Sequence, residues 1–236
     1  MSGSLLIKNG IIATLGAENR VLRGHAILCE DGVIKKIAPA SDFKGAYSKT
    51  IDADGKVVMP GFINAHMHFY STFACGIGGI RPSADFNAVL ENLWWRLDRK
   101  LTTEDCHYSA LIPLLNSIRH GTTTIIDHHA SPFAIRGSLD AIAGAVRKIG
   151  LRASLCYEVS DRDGEEIAAE GIAENVDFIK RCSMESDPRI KALFGLHASF
   201  TLGDRTLDRA AELGNFHGAG FHIHCAEAES DQLRSF

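Results

Sequence analysis

Two histidines one residue apart, His66 and His68, end the run Pro60-Gly61-Phe62-Ile63-Asn64-Ala65-His66-Met67-His68. Side chains on a strand alternate faces with period two, so both imidazoles point the same way and can share one ion. Imidazole is the commonest neutral metal ligand near pH 7. It suits zinc, iron, nickel or copper better than magnesium or calcium. A His-x-His pair alone is also compatible with two unrelated polar residues on a solvated strand. The apolar run and its Pro-Gly entry argue for burial, and buried imidazoles need partners.

A third candidate ligand lies in Gly220-Phe221-His222-Ile223-His224-Cys225-Ala226-Glu227. His224 ends an apolar segment and Glu227 follows three residues on. Three protein ligands plus a water is the usual form of a catalytic zinc site, and the bound water then has a pKa of about 7. Glu227 is placed to take that water's proton and pass it to a ring nitrogen or leaving amine. The alternative for Glu227 is a solvated carboxylate at a helix N-terminus. His222 shares a strand face with His224 and competes for the ligand role; the spacing to Glu227 favours His224. His197 closes the apolar segment from Ile190 and is either a substrate contact or a satisfied core histidine. Asp127, His128 and His129 are adjacent, so they cannot all face one site. His25, His107, His120 and His217 are expected to be surface or structural, and Trp94-Trp95 to be packing.

These residues need a scaffold. From Ser4 to Val58 the chain reads as short strands punctuated by the hairpin-type turns Asn9-Gly10 and Asp31-Gly32, which predicts a small antiparallel β-sandwich domain over residues 1–58. Over residues 59–236 the pattern becomes strand, loop, helix, repeated. Ser83 is the expected cap of a helix reaching Leu97, preceded by a Gly-rich loop after His68. Further helices are expected near Thr103 to Gly121, Ser138 to Lys148, Glu165 to Arg181 and Asp204 to Phe216, alternating with strands at 122–126, 151–157, 190–197 and 220–227. Alternation of this kind is α/β and implies parallel pairing. No G-x-G-x-x-G follows a strand, which leaves a dinucleotide fold little support. The polar residues gather at strand C-terminal ends, where a (β/α)8 TIM-like barrel keeps its chemistry. A whole barrel takes about 250 residues; roughly 175 follow the β domain, so about the first five β/α units are expected.

Charge and composition exclude other classes. The net charge of −4, with 23% charged and 45% apolar residues, gives no reason to expect nucleic acid or an anionic membrane as partner. No apolar run is long enough to span a bilayer, and the N-terminus lacks a signal-peptide pattern. The cysteines, at positions 29, 75, 106, 156, 182 and 225, form no C-x-x-C pair. They read as reduced, buried thiols of a cytoplasmic protein rather than a zinc ribbon.

Val57-Val58-Met59-Pro60-Gly61-Phe62-Ile63-Asn64-Ala65-His66-Met67-His68, His197 within Gly195-Leu196-His197-Ala198-Ser199-Phe200-Thr201, and His222 to Glu227 together resemble the amidohydrolase superfamily. The likeness is to its aminohydrolase/chlorohydrolase branch, which includes S-adenosylhomocysteine deaminases and triazine hydrolases. Asn92 to Arg99, Asp127 to Pro132 and Gly137-Ser138-Leu139 are similar to one aminohydrolase subgroup. The resemblance implies a TIM-like barrel with a β-sandwich drawn from both termini. It implies one divalent metal, zinc or else iron, on His66, His68 and His224, with Glu227 as proton shuttle and His197 as substrate contact. A single metal is implied because His197, not a carboxylated lysine, ends the fourth strand. The family also has a histidine after strand six and an aspartate after strand eight. Neither is found before Phe236, so the chain is expected to be a fragment of a longer protein. The expected activity is hydrolysis of a non-peptide C–N bond, deamination of an amino-substituted heterocycle by metal-activated hydroxide. The substrate is then a small molecule and the protein a homo-oligomer. Dechlorination or cyclic-amide hydrolysis, or a non-catalytic metal-binding fragment, are the alternatives. The zinc deaminases that use P-C-x-x-C are excluded, since that pair is absent.

Overall fold

The computed structural model describes residues 3–234. The chain divides into two compact units, Met1–Gly61 and Phe62–Phe236.

The first unit contains strands β1 (Ser4–Lys8), β2 (Ile11–Ala13), β3 (Val21–Leu22), β4 (His25–Glu30), β5 (Val33–Pro39), β6 (Lys49–Asp52) and β7 (Val57–Val58). They form two sheets, ordered β5-β4-β1-β6 and β3-β2-β7. Asp31-Gly32 is a true hairpin turn between β4 and β5, with both residues at positive φ. Two expectations are corrected. The unit is mixed rather than antiparallel, because β6 pairs parallel to β1 and β7 parallel to β2. Asn9-Gly10 is not a hairpin, because β1 and β2 belong to different sheets. It is a corner: Asn9 sits at φ 58°, and a Cβ on Gly10 would lie 2.7 Å from the Val58 side chain and 3.1 Å from the Lys56 carbonyl oxygen. Backbone packing, not turn type, demands that glycine.

The second unit is α/β. Its strands are β8 (Phe62–Met67), β9 (Thr122–His129), β10 (Arg152–Tyr157), β11 (Ile190–Ala192), β12 (Phe194–Ala198) and β13 (Phe221–His224). All pairs are parallel: β8 with β9, β9 with β10, β10 with β11, and β12 with β13. Spatial order follows chain order without reversal, as in a singly wound barrel and unlike a doubly wound sheet. The fourth strand expected over 190–197 is broken at Leu193. There Gly195 passes so near β10 that an added Cβ would meet the Tyr157 carbonyl oxygen at 2.2 Å. A parallel bridge between Val159 and Leu196 joins the two sheets.

The helices are α1 (Phe86–Val89), a π-helical turn (Leu90–Trp94), α2 (Trp95–Leu97), α3 (Thr103–Arg119), α4 (Ser138–Ile149), α5 (Glu165–Met184), α6 (Asp204–Phe216) and α7 (Glu229–Arg234). Thr102 and Asp105 close α3 with a reciprocal capping box. Asp85, not Ser83, caps α1, accepting from the Ala88 N–H at 2.8 Å. The run after His68 opens with a 3₁₀ segment, Phe69–Ala74, rather than a loop. Its first N–H, at Phe69, donates to Asp127 Oδ1 at 2.7 Å. Leu139, Ile142, Leu155 and Phe194 are fully buried in one core with Leu114, Ile125 and Val146. Asn175 of α5 stands in for the ladder missing between β10 and β12. Its Oδ1 accepts from the Tyr157 and Gly195 N–H groups at 2.8 and 3.4 Å, and its Nδ2 donates to both carbonyls at 2.8 and 3.3 Å. None of the helices is long and apolar enough to cross a membrane among the described residues. All six cysteines are free, but only some are buried as expected: Cys106 and Cys156 are, while Cys75 and Cys225 are exposed.

Candidate metal centre

The C-terminal ends of β8, β9, β12 and β13 converge. His66 and His68 leave β8 on one face, as their spacing requires. His224 ends β13 and comes to them across 156 residues of sequence: His68 Nε2 and His224 Nε2 are 3.1 Å apart. The other nitrogen of each ring is committed. His68 Nδ1–H donates to the His128 carbonyl at 2.6 Å, and His224 Nδ1–H to the His197 carbonyl at 3.0 Å. Burial pushes the His68 imidazole down to about 3, helped by the neighbouring His224 and opposed by the His128 carbonyl. Burial also lowers His224. Both rings are therefore neutral, with Nδ1 protonated, so two lone pairs face each other at hydrogen-bond distance. Repulsion between them is relieved by a cation that both can bind. Two nitrogens held by one tetrahedral zinc at 2.0–2.1 Å lie roughly 3.4 Å apart, close to the separation seen. Carbonyl acceptors behind metal-binding imidazoles are the usual means of fixing such a tautomer. The donor set therefore fits a borderline divalent cation.

His66 completes the triad of candidate ligands; its ring centroid lies 4.9 Å from that of His68 and 5.0 Å from that of His224. His66 Nδ1 is 2.7 Å from His222 Nε2. His222, expected to compete for the ligand role, therefore lies within hydrogen-bond reach of the first candidate ligand. His66, His68, His128 and His224 each bring one possible ligand atom within 4.8 Å of the others. By sequence His128 does not stand out from Asp127 and His129; the signal for it is the strand alternation that separates it from both neighbours. Asp127 faces away and holds Phe69, while His129 packs its Nε2 against Ser131 Oγ at 3.0 Å and Cys106 Sγ at 3.3 Å.

His197 is buried at the end of β12. Its Nδ1–H donates to Thr201 Oγ1 at 2.6 Å, while that hydroxyl donates to the Ala198 carbonyl at 3.2 Å. Its Nε2 turns toward Glu158 Oε1 at 3.5 Å. Burial lowers the His197 imidazole to about 3. Glu158, one residue past β10, is buried, and desolvation raises its carboxyl to about 8 against the pull of Arg162. The sequence marks Glu158 only as one polar residue among several at strand ends. Glu227 is reached through Ala226, which sits in the left-handed region at φ 54°, a conformation costly for a residue with a Cβ. Its N–H donates to Asp231 Oδ2 at 2.8 Å. Partial burial, then Asp231, raise the Glu227 carboxyl above its ordinary value.

His66, His68, His197, His224, Glu158 and Glu227 line one cavity of about 300 Å³, walled by Tyr70, Phe86, Leu90, Trp94 and Trp95. The π-helical turn brings the consecutive tryptophans to that wall. Trp94 meets Tyr70 edge-on at 6.3 Å, and Trp95 carries the Arg162 guanidinium 5.3 Å above its ring. The arrangement offers neutral nitrogen ligands, two carboxyls of raised proton affinity, and a flat apolar wall.

Strand order and an imidazole cluster at strand C-termini define a TIM-barrel-like α/β protein with a potential divalent-metal centre. The family model described as "Amidohydrolase family" matches residues 57–235, and the chain belongs to that family. It is 33% identical over 229 residues to a 5′-deoxyadenosine deaminase of Methanosarcina barkeri, covering 97% of this chain and 50% of that protein. It is 32% identical over 228 residues to a 5-methylthioadenosine/S-adenosylhomocysteine deaminase of Thermococcus sibiricus, covering 97% and 50%. The chain thus spans about half the length of these curated relatives. Among solved structures, an adenosine deaminase from Xanthomonas campestris with bound zinc superposes with a TM-score of 0.81 at 22% identity, covering 98% of this chain and 51% of that one. An atrazine chlorohydrolase from Arthrobacter aurescens complexed with zinc gives 0.78 at 21%, covering 98% and 56%.

Proposed function

We propose that this chain carries the metal-binding half of a hydrolase acting on a non-peptide C–N bond, and that the intact protein deaminates an amino-substituted heterocycle. The observation behind this reading is the pair of opposed lone pairs on His68 and His224, 3.1 Å apart with both Nδ1–H groups engaged elsewhere. In this reading His66, His68 and His224 hold one divalent metal; zinc is the first choice, iron the second. A cation there would bring the pKa of its water to about 7 and so make a nucleophile available at neutral pH.

The remaining work falls to the chain's own side chains. The carbonyls of His128 and His197 hold two ligand tautomers, and His222 steadies His66. Glu227 takes a proton onto its carboxylate and delivers it to the ring nitrogen or leaving amine; its raised proton affinity suits that exchange near neutrality. His197, its Nδ1–H on Thr201, presents Nε2 to the substrate. Tyr70, Phe86, Trp94 and Trp95 exclude water and favour a flat ring. Residues 1–58 act as a composite β-sandwich domain, and residues 59–236 make up about five of the eight β/α units of a barrel. The protein works on a small molecule in the cytoplasm as a homo-oligomer.

Deamination is preferred over dechlorination because the two relatives described above, at 33% and 32% identity, are named as deaminases. The chlorohydrolase likeness, at 21% identity, speaks for the fold alone. Metal content and ammonia release should be measured on the intact protein across amino- and chloro-substituted heterocycles, then on His66→Ala and Glu227→Gln. Loss of metal in the first and of ammonia release in both is expected. Undiminished ammonia release in both variants would end this reading, and chloride release in place of ammonia would favour dechlorination.

A further inference from the structure

His128 is fully buried, yet neither of its ring nitrogens has a hydrogen-bond partner among the described residues. A neutral imidazole carries one N–H and one lone pair, and a buried group leaving both unmet is costly and rare. Its neighbours are the cluster already described. The His128 ring centroid is 4.7 Å from that of His224, 5.5 Å from His68 and 5.8 Å from His66. Its Nδ1 lies 3.8 Å from Glu158 Oε2, a buried carboxyl oxygen that also lacks a hydrogen-bond partner. One ion in the cluster, with a small turn of the Glu158 carboxylate, satisfies all three atoms. The lone pair on Nε2 goes to the ion, and Nδ1–H goes to Oε2.

We propose that His128 is a fourth imidazole ligand of the metal and that Glu158 orients it. This rests on the metal reading given above. The strand explains the placement. Along β9, Asp127 and His129 face one way and find partners in Phe69, Ser131 and Cys106, which leaves His128 alone on the face that meets His66, His68 and His224. The carboxylate–imidazole–metal relay so formed is a common means of fixing ring orientation. Imidazole nitrogens are a donor set that favours borderline cations over magnesium or calcium.

The test uses the intact protein, with zinc titrated against a chelating indicator and cobalt as a spectroscopic substitute. His128→Phe is expected to weaken zinc binding at least about tenfold, to change the intensity of the cobalt visible bands, and to shrink the zinc-induced rise in Tm. The metal-free Tm should not fall, since the substitution removes two unmet polar atoms. His128→Gln, which keeps a polar group of similar reach, carries the same expectation should the larger ring not fit. Glu158→Gln should move zinc affinity the same way by less. Wild-type zinc affinity and an unchanged cobalt spectrum in both His128 variants would overturn the inference. If His66→Ala still abolished binding, the proposed function would stand. Wild-type protein that takes up neither metal would overturn both.

Discussion

The two units of this chain bury different things. In the first, the buried side chains are Leu6, Ile12, Ala26, Ile27, Ala38 and Ala53, all apolar. In the second, a larger apolar core is interrupted by buried Asp98, Asp127, His128, His129, Glu158, Glu174, Asn175 and His197. Some of those polar groups are structural and well satisfied: Asn175 bridges β10 and β12, and Glu174 accepts from the Gly137 and Leu139 N–H groups at 3.0 and 3.2 Å. Others, at the C-terminal strand ends, are left short of partners: one oxygen each of Asp127 and Glu158, and nitrogens of His128 and His129. A scaffold can be built from alternation alone. A site must hold polar atoms where stability would not place them.

That contrast can be broken by experiment. The largest effect should come from His68→Ala or His224→Ala in the intact protein, with bound metal and turnover both lost. Glu227→Gln should keep its metal while turnover falls roughly 10²–10⁴-fold; metal analysis beside ammonia release separates the two. Core truncation should then act on stability. Phe194→Ala, in the fully buried core of the second unit, should cost about 3–5 kcal/mol in denaturant unfolding, and Leu6→Ala in the first about 2–5 kcal/mol. Leu6→Ala should leave the turnover of the folded fraction unchanged. A drop in turnover as deep as that of Glu227→Gln would erase the division between scaffold and site.

The pH response of the metal-free protein sharpens the comparison further. His129 and His197 are both held down to about 3 by burial. The unfolded chain gains their protons near 6.5, the folded chain only near 3. Stability is therefore full above about pH 6.5 and lost as pH falls toward 3, by about 1.4 kcal/mol per imidazole at about pH 5.5. Glu158, raised to about 8, works in the opposite direction: the unfolded carboxyl ionises near 4.5, so its burial costs stability as pH rises from there to 8. Among the described residues of the first unit the one shifted group is the exposed Asp52, lowered by its hydrogen bonds to the Asp54 N–H and Asn9. Hydrogen exchange on mild acidification should thus loosen β9 and β12 while the strands of residues 4–58 keep their protection. The smallest effect is local: Thr102→Ala, which removes half of the α3 capping box, should cost about 1 kcal/mol in thermal unfolding.

Much of this was legible in the residues. The alternation of β8 put His66 and His68 on one face, and the helices expected over Thr103 to Gly121 and Ser138 to Lys148 form as α3 and α4 to within two residues. Ser83 has the side chain of a cap, but Asp85, two residues on, is an equally good acceptor, and the helix starts there instead. Asn9-Gly10 carries a hairpin signature, but Val58 and Lys56 pack against it and turn it into a corner between sheets. His128 could not be chosen over His129 by type, since only the direction of a strand decides which of two neighbours points inward.

The sequence by itself determined periodicities and spacings: which histidines share a face, that strands alternate with helices, and that Glu227 follows His224 by three residues. These follow from backbone geometry that repeats over two or four residues. Only the tertiary structure decided that β8 and β13, not neighbours in any sheet, bring His68 and His224 to 3.1 Å. That distance depends on how the successive parallel strands curl, and the curl is set by packing between elements far apart in the chain: Gly195 against Tyr157, Asn175 across both, and the helices that cover them.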